Sequence, residues 1–356
     1  MSVPGSLPAS VPGTVREVRL VRRPQGRPVA ADLAVVEVAA PEPAEGQVLV
    51  RNRWFQVFAG LASLLGETPP NTPFPSIEVG GTLFGAAVGE VVLAPEGSGL
   101  RPGDLVSHFQ GWREYAVVDP AGLALLDGRL PDPAARLTSG ATGYGVLTRT
   151  APLRPGDTVL VTGAAGGVGT LAGQTAKLLG AGTVLGTTGS PAKAARLREL
   201  GYDAVLVDER TDGADGPARA ERFARQLAEA APDGIDLLLD TVGGHQAEAA
   251  LAAARPGARA ALVGVLTDQF AAAGTAGAAP LRLDAFQVIV KGLRVSGYAN
   301  AGHAEVEAEW LPRFGEWLRS GAITFPHVRA KGLEEAPRAL QEMAEGRHFG
   351  TVLVEL

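Results

Sequence analysis

Apolar positions follow two different rhythms along this chain. Over residues 16–127 they form short runs such as "QVLVRNRWFQV" and "VGEVVLAP", broken by Pro and Gly turn signals, which predicts a β-rich unit. From residue 157 onward, continuous apolar runs ("DTVLVTG", "TVLGTTG", "DAVLVD", "GIDLLLDTVGG", "ARAALVGV") alternate with Ala/Leu-rich helical segments ("VGTLAGQTAKLLG", "PAKAARLRELG"). Unbroken apolar strands separated by helices predict a parallel sheet covered on both faces. Helices are expected to stop at Gly180, Gly201 and Gly257, where the left-handed terminal conformation suits glycine. After residue 266 the stretch "AAAGTAGAAP" reads as a mobile loop, followed by the apolar run "FQVIVKGLRVSGY". Helical pieces over 305–320 and 333–345 and a last strand "GTVLVEL" complete the chain, and that strand is expected to return to the first unit, where a sheet edge can pair with it.

Composition narrows the class. With 356 residues, two domains are expected. Apolar residues make up 46% and charged ones 20%, enough to bury a core. The net charge is −6 with no Lys/Arg block, so nucleic acid is not an expected partner. Cysteine is absent, which removes disulfides, thiolate nucleophiles and every zinc site needing a Cys ligand. Residues 1–14 read as a Ser/Pro/Gly-rich leader without signal-peptide features, and no apolar run reaches membrane-spanning length. A cytoplasmic protein is the expectation.

The strongest chemical signal is "DTVLVTGAAGGVGTLAGQTAKLLG", a strand running through a glycine-rich turn into a helix. Aligned on the dinucleotide fingerprint, Gly166 and Gly169 take the second and third glycine positions, and Ala164 replaces the first. Gly166 would let the backbone approach a diphosphate, Gly169 would let the helix pack on the sheet, and the helix N-terminus would supply N–H donors. About twenty residues further on, where an acidic side chain would select NAD, stand Thr188, Gly189 and Ser190, with Lys193 in the next helical turn. Small hydroxylated residues and a cation suit a 2′-phosphate, so NADP(H) is the expected cofactor. The competing reading of Lys193 is a solvated surface lysine.

These segments, together with "GDLVSHFQGWREYAVVD", "SGATGYGVL", "LDTVGG" and "GLEEAPRALQEMAEGRHFGTVLVEL", resemble the medium-chain dehydrogenase/reductase superfamily, in its zinc-free branch of prostaglandin and 2-alkenal (curcumin-type) reductases. The resemblance implies an α/β protein: a GroES-like β-rich catalytic domain over 15–130 and 325–356, and a Rossmann doubly wound parallel-sheet domain over 131–324, with substrate and nicotinamide in the cleft between them. It also implies a homodimer formed by pairing two Rossmann sheets. Cofactor contacts carried over are Gly167, Val168 and Gly169 at the diphosphate and Lys193 at the 2′-phosphate. Nearer the nicotinamide they are Thr142, Thr241, Val242, Gly264, Val265, Leu266 and the segment Tyr298, Ala299, Asn300. His348 stands where the branch often has an asparagine, and Asp208 where it often has a tyrosine near the adenine phosphate. Two tyrosines common in the branch are missing: one position is Gln269, and the other falls in "VFAGLASLLG".

The reaction expected from the resemblance is hydride delivery to an activated C=C bond of an enone, enal or enoyl substrate, in which the protein's task is to stabilise charge on the carbonyl oxygen. No metal is expected, because the five histidines show no paired ligand spacing. His108, in "LVSHFQGW", is a candidate proton donor with a titration range near neutrality, weighed against an ordinary loop histidine. Trp112 and Tyr115 read as packing residues, and Tyr144 is divided between packing and substrate contact. Two other functions stay open: an NADPH:quinone oxidoreductase, and an NADPH-binding protein without catalysis. A biosynthetic tailoring role would fit the altered loops.

Overall fold

The computed structural model describes residues 11–66, 76–209, 216–266, 280–300 and 302–356. Two compact units emerge, one of Met1–Leu137 and His327–Leu356, the other of Thr138–Ala271 and Thr275–Pro326.

In the first unit β1 (Thr14–Leu20) and β2 (Leu33–Ala39) form an antiparallel pair. A larger sheet contains β3 (Val48–Val57), β4 (Ala87–Leu93), β5 (Leu105–His108), β6 (Tyr115–Val118), β7 (Ala124–Leu125), β14 (His327–Lys331) and β15 (Thr351–Glu355). Its order is β14-β15-β3-β4-β5-β7, with β6 also on β3. The short helix α1 (Leu61–Leu65) and the terminal α9 (Ala336–Ala344) cover it, and Leu20, Phe55, Leu61, Leu83, Trp112, Leu340 and Val354 make a dry core. The last strand does return to this unit. It sits inside the sheet, antiparallel to β3 and parallel to β14, so both its edges are paired. Of the expected leader, residues 1–10 lie outside the described residues, while Val11 is buried with Val15, Leu49 and Tyr115.

The second unit is a six-stranded, all-parallel sheet: β8 (Thr158–Val161), β9 (Thr183–Thr188), β10 (Ala204–Val207), β11 (Ile235–Asp240), β12 (Ala254–Leu262) and β13 (Arg294–Gly297), in the order β10-β9-β8-β11-β12-β13. This is the doubly wound order in which the chain switches direction beside the first strand, and ligands in such sheets sit at the carboxyl ends of the strands near that switch. Helices α3 (Gly169–Leu178), α4 (Pro191–Glu199), α5 (Pro217–Ala230), α6 (Gly244–Ala252) and α7 (Ala285–Lys291) connect the strands. Two further helices, α2 (Gly140–Gly145) and α8 (Ala304–Ser320), belong to the same unit. Asp284 caps α7 by accepting from the N–H groups of Phe286 and Gln287, and left-handed Gly292 ends it. The glycine expectation needs one correction. Gly180 and Gly201 do follow helices with positive φ, but Gly257 lies within β12, where the pairing with β11 shifts register. The stretch 271–279 and Gln269 lie outside the described residues.

Candidate functional site

The carboxyl ends of β8, β9, β10 and β11 bring the sequence candidates of the second unit together. Beyond β8 the chain makes a tight turn in which Gly166 N–H donates to Gly163 O at 3.0 Å, and α3 starts at Gly169. A Cβ on Gly169 would stand 2.5 Å from Ala164 Cα and 2.7 Å from its carbonyl oxygen, so only glycine lets the helix come this close to the strand. Gly166 is exposed, and a Cβ there would meet only Gly163 O at 3.4 Å. Among the described residues, the N–H groups of Gly167, Val168 and Gly169 find no backbone acceptor, and no side chain caps α3. Backbone N–H donors at a helix N-terminus suit an anion.

The sequence reading placed Ala164 at the first fingerprint position, but the conformational work is done one residue earlier. Gly163 has φ 62°, and a Cβ there would run into the Thr241 hydroxyl. Ala164 instead donates its N–H to Thr187 O at 2.9 Å. Tyr202 was also missed. Its hydroxyl donates to Gly169 O at 2.7 Å, and its ring fills the room left by Gly173 and Gly186, where any Cβ would collide with it. Burial pushes that hydroxyl's pKa up, so it stays a donor.

At the end of β9, Ser190 is the N-cap of α4, its N–H donating to Thr188 Oγ1 at 3.3 Å. Lys193 lies in the first turn, half-buried, with its pKa lowered by burial and then by the neighbouring Arg196 cation. Both effects fall on an ammonium group that an anion would relieve. No acidic side chain occupies Thr188–Gly189–Ser190 itself. Asp208, just past β10 and paired through its N–H with Thr188 O, carries a carboxylate that is already committed. Arg219 donates to it from Nε at 2.8 Å and from Nη2 at 2.9 Å, His245 Nε2 lies at 2.9 Å, and Gln246 Nε2 donates at 2.7 Å. Burial alone would raise the Asp208 pKa, but the hydrogen bonds from His245, Arg219 and Gln246 outweigh it and hold the group at about 2.

At the end of β11, buried Asp240 accepts from Thr162 Oγ1 at 2.5 Å and from the N–H groups of Val242 and Gly243. Thr241 is locked onto Thr162 through its own N–H and hydroxyl, and Val263 and Gly264 donate to Asp240 O. Gly264, Val265 and Leu266 are therefore held against Thr241–Val242, leaving all three half-exposed. The Tyr298 hydroxyl donates to Asn300 Oδ1 at 3.2 Å and packs where Gly145 leaves no Cβ; Ala299 is exposed. Thr142 is half-exposed on α2, whose glycines accommodate Trp310, Ala172 and Tyr298. Tyr144 is buried against Trp310, its hydroxyl donating to Glu309 at 3.3 Å.

Two candidates lie in the first unit. His348 pairs with Glu342 at 3.2 Å. His108 is buried on β5; its Nδ1 accepts from Gln110 N–H at 3.1 Å, so Nε2 carries the hydrogen and finds no partner among the described residues. Burial, then the Arg113 cation, lower its pKa to about 4, so the ring is uncharged at neutral pH instead of titrating there. Trp112 is packed on Phe55 with ring centroids 5.1 Å apart and is the one described non-glycine residue with positive φ.

Comparison with known proteins agrees with this arrangement. The family profile described as "Zinc-binding dehydrogenase" matches residues 167–314, and that described as "N-terminal domain of oxidoreductase" matches residues 16–126. The first description names zinc, but this chain has no cysteine, and among the described residues no three His, Asp or Glu side chains gather into a metal-binding group. The chain is 29% identical over 345 residues to the NADPH-dependent curcumin reductase of Escherichia coli K12, covering 95% of each chain. It is 29% identical over 287 residues to prostaglandin reductase 1 of Mus musculus, covering 78% of this chain and 83% of that one. The crystal structure of CurA from Vibrio vulnificus in complex with NADPH superposes with a TM-score of 0.82 at 26% identity, over 96% of this chain and 98% of the other. The fingerprint turn, the parallel sheet and these matches together establish that the chain belongs to the medium-chain dehydrogenase/reductase family, in the zinc-free branch of prostaglandin, 2-alkenal and curcumin reductases.

Proposed function

We propose that this protein is an NADPH-dependent reductase of activated carbon–carbon double bonds, of the enone, enal or enoyl type. The observation that carries the reading is the pairing of the Gly167–Gly169 amides at the start of α3 with a 2′-phosphate corner that has Ser190 and Lys193 and, at Thr188–Ser190 itself, no carboxylate. That donor set fits NADPH: Gly166–Gly169 would hold the diphosphate, and Gly189, Ser190 and Lys193 would hold the 2′-phosphate. Thr142, Thr241, Val242, Gly264–Leu266 and Tyr298–Asn300 would be the remaining contacts within the second unit. When bound, the cofactor supplies a hydride for the β-carbon, while charge gathers on the substrate's carbonyl oxygen. His108, uncharged at neutral pH, is a candidate to give a hydrogen bond from Nε2 and is not an acid of useful strength there. We assign residues 15–130 and 325–356 to the catalytic domain and 131–324 to the NADP-binding domain.

The test is NADPH oxidation over a panel of enals, enones, quinones and acyl thioesters, with products identified by mass and NMR. Gain of two hydrogens across C=C supports the reading; quinol formation alone moves the chain to the quinone oxidoreductases, and binding without turnover moves it to the non-catalytic proteins. A binding measurement checks the phosphate corner. Lys193→Ala weakens NADPH about tenfold and leaves NADH within a factor of about two, since one charge-assisted contact is lost only with the phosphorylated cofactor.

A homodimer belongs to the same proposal. Among the described residues the outer edge of β13 is unpaired, and α7 exposes Phe286, Ile289 and Val290 to 67%, 75% and 55%. An open edge beside an apolar face is what an isologous contact covers. Ile289→Glu converts the dimer to monomer in light scattering; a monomeric wild type removes the proposal. No described helix is long and apolar enough to cross a membrane.

A further inference from the structure

A chain of hydrogen bonds through buried side chains runs beneath the cofactor turn, joining the ends of β8, β9 and β10 to the first turn of α6. Gly163 N–H donates to Thr187 Oγ1 at 3.0 Å, and Thr187 Oγ1–H donates to Gln246 Oε1 at 2.8 Å. Gln246 Nε2–H then donates to Asp208 Oδ2 at 2.7 Å. Thr187, Gln246 and Asp208 are 1%, 6% and 2% exposed, so the two side-chain links between them are shielded from solvent. Their direction is fixed. The Thr187 hydroxyl has one hydrogen, which goes to Gln246 while its lone pair takes the Gly163 amide. Turning the Gln246 amide over would set its oxygen against the Asp208 carboxylate. The ionised carboxylate, clamped by Arg219 and His245, therefore sets the polarity of every link up to the backbone of the turn.

The last link falls on a residue that shapes the site. Gly163 is the positive-φ entry to the turn, and Thr187 also accepts the next amide, Ala164 N–H, through its carbonyl at 2.9 Å. Both amides that open the turn are thus held by one threonine, and only one of the two bonds depends on a side chain. We propose that Gln246 is a positioning residue for the cofactor's diphosphate: through Thr187 it holds the Gly163 amide, and so the three donors of Gly167–Gly169, in the arrangement that receives two phosphates. This rests on reading the turn as the diphosphate site.

The test separates the diphosphate from the rest of the cofactor by titrating NADPH and adenosine 2′-monophosphate, which keeps adenosine and the 2′-phosphate but lacks the diphosphate. Gln246→Met, an apolar side chain of similar length, weakens NADPH about tenfold and leaves adenosine 2′-monophosphate unchanged. Thr187→Val, close to isosteric, breaks the same chain and gives a similar loss; the double variant loses no more than either single one. Gln246→Glu sets a second carboxylate beside Asp208, so its NADPH affinity recovers from about pH 8 to about pH 6 as the pair takes up a proton. The wild type, with the same Asp208, His245 and Arg219, is the control for that recovery. Equal weakening of both ligands, additive losses, or unchanged NADPH affinity in Thr187→Val overturns the inference. Wild-type protein that binds adenosine 2′-monophosphate but not NADPH overturns the diphosphate reading instead.

Discussion

Gly169→Ala abolishes detectable NADPH binding and lowers the stability of the protein by about 3 kcal/mol. The added methyl has nowhere to go: its nearest neighbours are the backbone atoms of Ala164 at 2.5–2.7 Å, and backbone cannot turn aside as a long side chain can. Relief requires α3 to move off β8, which also withdraws the Gly169 carbonyl from the Tyr202 hydroxyl and empties the slot that Gly173 and Gly186 leave for that ring. The same displacement moves the Gly167–Gly169 amides, so affinity and stability fall together. Gly166→Ala is the contrasting variant. Its Cβ meets only Gly163 O at 3.4 Å, on the exposed side of the turn, so the fold is kept while the methyl stands where a diphosphate would approach. Calorimetric titration and thermal melting of both proteins decide the matter. A Gly169→Ala protein that melts normally and binds NADPH places the helix packing elsewhere.

The contrast between these two glycines was legible in the sequence, because strand, glycine turn and helix follow one another locally, so one glycine falls on the turn and the other at the helix start. The parallel sheet was legible for the same reason: runs such as "TVLV" and "IDLLLD" are apolar at nearly every position, as strands covered on both faces must be. What the sequence hid depends on contacts between distant residues. Gly163 looked like a bystander because the side chain that leaves no room for a Cβ there, Thr241, is 78 positions away in the chain. Thr187 and Gln246 are ordinary residues of a strand and a helix until the topology brings them together, and Asp208 read as a departure from the branch, with no sign of its contacts to Arg219 and His245. The titration range of His108 could not be foreseen, since burial and Arg113 set it. Gly257 misled because a glycine in a bulged strand and a glycine ending a helix look alike in one dimension.

Asp208→Asn costs about 3 kcal/mol at neutral pH, and its effect vanishes in acid. The side chain of Asp208 is 1% exposed and that of Arg219 17%, so removing the carboxylate charge leaves a largely buried guanidinium facing an amide whose NH2 repels it. The pH dependence follows from the lowered pKa. Folded Asp208 titrates at about 2, while an unfolded aspartate titrates at about 3.9. The unfolded chain therefore takes the proton first, and the stabilisation, present above about pH 4, drains away as pH falls through about 2, a change of the order of 2–3 kcal/mol. Asp240 has the opposite sign: burial raises its pKa despite the hydrogen bonds from Thr162, Gly243 and Val242, so the folded state binds that proton more readily and gains stability on acidification. Asp240 therefore does not contribute acid weakening in this window, whereas Asp208 does. Denaturant unfolding of wild type and Asp208→Asn from about pH 7 to about pH 2 should show the gap between them closing below about pH 4. A gap that stays constant across that range would mean that Asp208 is held by shape alone, and that its charge has no part in the chain reaching Gly163.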